Sequence, residues 1–254
     1  MSKRCVLLPT RRMGLDYPST LVGATADVEV YVGTALGAAG TTLAKECLKL
    51  VENDFQAIQG YFGGLKVPRL QLYLAPLSAA HDGTGGAYHY GCTSTQLYCD
   101  AVLSPMNPAL SLALFAAEAV EVFEGTQGLG WDCGASNGEG LSRVLAEAVQ
   151  PGVLDGFETA SAWLDSTDRP NWVDKTEPTD QNAVSTGCAV LFLTWMKTAL
   201  GFTWTRIATA GSPTLAGTYK AITGKSTAWS DFEAAVRAKW PAGTPSGVSS
   251  DDPW

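Results

Sequence analysis

Residues 110–124 read LSLALFAAEAVEVFE, a run with no solvated face over its first two turns. Pro105 and Pro108 break the pattern ahead of it, so a helix from Ala109 to Phe123 is expected, buried within its domain. It is too short to span a bilayer. Glu118 and Glu121 are three residues apart and therefore adjacent on one helical face. A buried carboxylate costs on the order of several kcal/mol unless it is paired, protonated or bound to a metal. Whatever fold the chain adopts must accommodate this helix and its two acids.

The pattern on either side of it sets the fold class. Alternating, β-rich segments at Asp27–Val32, Val67–Ala75, Ala87–Gly91 and Gln96–Val102 read as strands. Between the first two, Leu43, Cys47, Leu48, Val51, Phe55 and Ile58 recur at helical spacing in a helix over Leu36–Gly60. After the carboxylate helix almost every segment is helical: Glu139–Ala148, Val153–Leu164, Val184–Leu200, Thr203–Ala210, Pro213–Ile222 and Ala228–Lys239, with a charged loop over Asp165–Gln181. The class is α+β. Residues 1–125 form a lobe of mixed sheet and long helices that ends in the carboxylate helix, residues 126–240 a mainly helical lobe, and residues 241–254 a flexible tail.

Charge and composition exclude several classes of function. The formal net charge is −8, and no basic run exceeds Lys3-Arg4 or Arg11-Arg12, so nucleic acid is not expected as a partner. A hydrophobic fraction of 46% and eight tryptophans call for packed cores, not disorder. The apolar run Cys5–Leu8 stops at Pro9 before it can serve as a signal-peptide core, and no segment suits a membrane span. The sequence as it stands therefore reads as cytoplasmic and not membrane-bound, with a secreted precursor left open. The six cysteines, at 5, 47, 92, 99, 133 and 188, have neither CxxC nor zinc-ribbon spacing. They are expected to be reduced and partly buried. Cys92 and Cys99, on either side of a short turn, are the pair to watch.

The stretch from Ala117 to Arg143 resembles the active-site region of the zincin metallopeptidases, in the gluzincin-like branch whose third metal ligand is a glutamate on a following helix. The strand–helix–strand–strand–strand–helix order also resembles the zincin N-terminal lobe. The family motif is H-E-x-x-H, and here the matching run is Ala117-Glu118-Ala119-Val120-Glu121. The resemblance implies Glu118 as general base, Glu121 as second metal ligand and Glu139, in Asn137–Arg143, as third. The first ligand position holds Ala117, which has no donor atom. His89, one of only two histidines, is the candidate replacement, because the strand Ala87–Gly91 could run beside the helix as the substrate-facing edge strand of zincins does. Tyr219 is a candidate oxyanion donor.

The resemblance thus implies a zincin-like protein without standard zinc peptidase activity, having a binding or structural role at the old cleft. The alternative is a metal-dependent peptidase or hydrolase using Glu118 as base. It carries no cofactor, or one divalent cation, Zn²⁺ or Ca²⁺, and its partner is a peptide or protein ligand in the cleft. For each glutamate there is a plainer account: Glu118 and Glu121 reach cleft water, and Glu139 pairs with Arg143 one turn later.

Two further strings carry less. Gly134-Ala135-Ser136-Asn137-Gly138 matches G-x-S-x-G, but the preceding residues make a poor strand and no histidine follows Ser136. The glycine-rich link His81–Gly86 lacks the lysine and spacing of a P-loop, and could let backbone lie close to a ligand.

Overall fold

The computed structural model describes residues 17–77, 86–102 and 107–254. The N-terminal residues weighed as a leader, His81 with most of the glycine-rich link, and Pro105 lie outside these. The strands are β1 (Ser19–Ala24), β2 (Val28–Gly33), β3 (Leu70–Ala75), β4 (Ala87–Tyr88) and β5 (Gln96–Asp100). They form one sheet in the order β1-β2-β3-β5-β4. β2, β3 and β5 are parallel, while β1 pairs antiparallel with β2 and β4 antiparallel with β5.

Alternation gives the sheet two different faces. Val28, Val30, Val32, Leu70, Leu72, Leu74, Leu97 and Cys99 are buried against the helices. On the other face Tyr31, Tyr73, Tyr98 and Tyr88 stack in a row across four strands, with ring centroids 4.5, 4.9 and 5.0 Å apart. α1 (Gly37–Tyr61) packs its Leu43, Cys47, Val51, Phe55 and Ile58 stripe on the sheet.

α2 (Pro108–Gln127) starts on Asn107, whose Oδ1 accepts the Ala109 N–H at 3.0 Å, and ends on Gly128 at φ 65°. It is buried nearly all round because the sheet and α1 cover one side and α3 (Ser136–Val149) closes the other, with α5 (Ala183–Thr198) packed behind α3. The helical lobe continues through α4 (Ala160–Leu164), α6 (Trp204–Ala208), α7 (Leu215–Thr223) and α8 (Ala228–Lys239). The architecture is the expected α+β arrangement of a sheet lobe and a mostly helical lobe, and one continuous core runs from β2 through α2 and α5 to α8. No helix among the described residues is long and apolar enough to cross a membrane.

Several elements differ from the sequence expectation. β1 was not foreseen. It is an edge strand with half-exposed residues, so it lacks the alternation that marks a strand with one buried face. β3 begins at Leu70 and not at Val67, because Pro68 has no N–H to give the ladder. The expected helix over Val153–Leu164 splits into a 3-10 turn at Asp155–Phe157 and α4. The chain end after Pro241 has no regular structure, yet it is docked and not a free tail. The Asp251 carboxylate accepts the N–H groups of Thr159 and Ala160 at 2.8 and 3.1 Å, capping α4, and the Trp254 indole N–H donates to the Leu191 carbonyl at 2.9 Å.

Candidate functional site

Between the edge of the sheet and the helical lobe lies a cleft of about 780 Å³, lined on one side by His89 and Ala117 and on the other by Glu139 and Arg143. Its floor is α2. The three-residue spacing aims Glu118 and Glu121 into it together, and both side chains are largely buried. His89 follows β4 and reaches down to them. Its Nδ1 lies 2.7 Å from Glu118 Oε2 and 3.6 Å from Glu121 Oε2, and its side chain is 3% exposed. Its Nε2 is buried with no hydrogen-bond partner among the described residues.

The opposite wall is the start of α3. Glu139 projects from its first turn, and Arg143, one turn on, donates from Nε to Glu139 Oε1 at 2.7 Å. Arg143 is itself held by the Phe157 carbonyl at 2.7 Å through Nη1. Two glycines let these walls close in. A Cβ on Gly125 would collide with the Cys92 carbonyl, and one on Gly138 with the Asp132 carbonyl.

The charges crowd one another. Burial, followed by the neighbouring Glu118 and Glu139 carboxylates, pushes the Glu121 pKa well above the usual carboxylate range. Burial also raises Glu139, outweighing the attraction of Arg143. Glu124, one turn further along α2, is fully buried and neither carboxyl oxygen has a hydrogen-bond partner among the described residues. Burial first, then Glu139 and Asp132, raise its pKa well above the ordinary 4.5.

The folded state therefore holds a proton on Glu124 that the unfolded chain releases. Stability is fullest below pH about 4.5 and drains as pH climbs toward the raised value. Glu124→Gln removes that term. Thermal melts at pH 8 should show a gain of about 3–6 °C over the parent, shrinking to nothing at pH 4. An equal shift at both pH values would mean that Glu124 ionises freely in the fold.

The structure brings together four of the residues singled out from the sequence, Glu118, Glu121, Glu139 and His89, around one cavity. Tyr219 is elsewhere. Its ring is buried in the helical lobe against Trp195 and Phe192, and its hydroxyl donates to Asp231 at 2.8 Å on α8, so it is a packing residue and not an oxyanion donor to this cleft. Ser136 begins α3 with its hydroxyl accepting the Glu177 N–H at 3.1 Å, a loop-pinning role and not that of a nucleophile.

Sequence reasoning singled out Cys92 but missed its partner, Cys133. They form a disulfide across the cleft mouth, and both line the cavity. The expected partner Cys99 is instead a fully buried thiol on β5, facing the helices with Cys47. Among the described residues, two sets of donor atoms lie within 4.8 Å of one another: His89, Glu121 and Cys133; and Cys92, Asp132 and Cys133. Both include sulfur atoms tied up in the disulfide, and Glu139 belongs to neither.

A zinc ion held as in a standard zincin does not fit this arrangement. Ala117 offers no atom, Glu139 is occupied by Arg143, and the imidazole of His89 hydrogen-bonds Glu118. Comparison with protein-family models, curated proteins and solved structures finds no match to this chain.

Proposed function

We propose that the protein is a zincin-like scaffold whose cleft holds an extended, basic segment of a peptide or protein without hydrolysing it by the zinc mechanism. The observation that carries this reading is the His89 imidazole seated against Glu118 and Glu121, beside the donor-less Ala117. Two protein nitrogens, His89 Nδ1 and Arg143 Nε, take up the Glu118 and Glu139 carboxylates where a zincin would use a metal. Five carboxyl side chains, Glu118, Glu121, Glu139, Asp132 and Asp180, line the cleft with one guanidinium, Arg143, so a positive side chain entering it would favour ionisation of the acids that burial disfavours. β4 is the last strand in the described sheet order, and its backbone can add an extended ligand as a further strand.

The test is fluorescence anisotropy with extended peptides matched in length but differing in charge. Lysine- or arginine-bearing peptides should bind at least about tenfold more tightly than acidic ones, and the difference should shrink as salt is raised. Equal binding of both, or preference for the acidic set, would overturn the reading.

The alternative is a metal-dependent hydrolase with Glu118 as general base. It draws on the same convergence of His89 with two glutamates, but among the described residues it lacks three free clustered donors for one ion while the Cys92–Cys133 bond is closed.

A further inference from the structure

We propose that the Cys92–Cys133 disulfide is a redox gate on a zinc site: reduction frees Cys133 to join His89 Nε2 and a Glu121 oxygen as a three-donor set that the oxidised cleft lacks. This rests on the reading of the oxidised cleft as free of zinc, and adds to it a second state of the same residues.

Three observations lead there. A ring nitrogen of His89, a carboxylate oxygen of Glu121 and the Cys133 sulfur already lie within 4.8 Å of one another. A tetrahedral zinc with nitrogen, oxygen and sulfur bonds of about 2.0–2.3 Å needs its ligands roughly 3.3–3.8 Å apart, a small contraction once the sulfur can turn away from Cys92. Second, His89 is set up as ligating histidines usually are. With Nδ1–H donated to Glu118 at 2.7 Å, the lone pair is on Nε2, which is buried and has no partner among the described residues. Such an orphan calls for an explanation, and a metal supplies one. Third, the disulfide is within reach of a reductant, since both cysteines are only half-buried and both line the cleft.

One imidazole, one carboxylate and one thiolate, with a fourth position open, is a donor set suited to Zn²⁺ and not to Ca²⁺. In a reducing compartment a disulfide of this kind is transient and sensing.

The chemistry balances with a dithiol as reductant. One of its thiolates attacks the Cys92 sulfur, the S–S bond breaks, and Cys133 leaves as a thiolate. The second thiolate of the reductant resolves the mixed disulfide and releases Cys92. Two electrons pass to the cysteines. Of the two protons given up by the dithiol, one ends on Cys92 and the other goes to solvent when Cys133 is held by zinc as thiolate.

Cys92→Ser and Cys133→Ser test this as a matched pair. Both lose the disulfide, so both share any loss of stability, but only Cys92→Ser leaves Cys133 free. Chelator competition should give one zinc per chain for Cys92→Ser, at least about 100-fold tighter than for Cys133→Ser. With Co²⁺ in place of zinc, a thiolate-to-metal charge-transfer band should appear in Cys92→Ser alone, and His89→Ala in that background should remove it.

If either variant fails to fold, wild-type protein before and after treatment with a phosphine reductant reads the same quantity, and zinc should bind only afterwards. Equal zinc affinity in the two variants, or no change on reduction, would overturn the gate and leave the peptide-binding reading standing. Tight zinc binding by the oxidised protein would overturn both.

Discussion

Ala117→His should raise the zinc affinity of the oxidised protein by about 100-fold or more. Ala117 lines the cleft one turn before Glu121 on α2, and residues four apart on a helix share a face. An imidazole at 117 would sit beside Glu121 with room to turn, because the alanine it replaces is only partly buried and lines the cleft. Together with Glu121 and His89 it would make three donors without any help from Cys133. The substitution therefore tests whether α2 is the zincin motif helix with one ligand deleted. Competition against a chromophoric chelator measures it. An unchanged affinity would mean that the side chain at 117 does not point at the Glu121 carboxylate, and the resemblance of α2 to the zincin motif helix would fail with it.

Loss of the Cys92–Cys133 bond should lower the melting temperature by about 8–16 °C, corresponding to roughly 4 kcal/mol for a loop of this size. The two cysteines are 41 residues apart, and the loop they close contains β5 and α2. Cutting it frees the segment after β4 from the loop that leads into α3. Those two segments form the cleft mouth, so the effect should be felt there first. Wild-type protein in reductant should melt together with Cys133→Ser, both below the oxidised wild-type protein by that amount. A drop of only a degree or two would mean that packing around Gly125 and Gly138 holds the mouth closed without the disulfide.

Much of the site was legible because its signals are local. The i, i+3 spacing of Glu118 and Glu121 on an apolar helix, the Glu139–Arg143 pair at i, i+4, and a histidine at the end of a short strand are all visible in single stretches of sequence. Helix α8 and the core of α1 likewise follow from periodicity alone.

What was not legible depends on the return of the chain. Cys133 meets Cys92 because α2 reverses at Gly128 and leads back over its own length into α3. No spacing rule announces that. Tyr219 was assigned to the cleft by analogy, but α7 packs its ring into the far side of the helical lobe, where Asp231 satisfies the hydroxyl. Glu124 continues the 118, 121 stripe at the same spacing, and that repeat could have marked it as a third buried acid. The chain end was misjudged because its anchors, Asp251 and Trp254, act as isolated residues on distant partners and not as a pattern.

Metal analysis of the purified, oxidised protein tests the central reading most directly. With the motif carboxylates held by His89 and Arg143 and with Cys133 in a disulfide, zinc and calcium should both fall far below one ion per chain. One tightly held ion per chain, lost on Glu121→Gln, would show that the cleft is a working metal centre and contradict that reading.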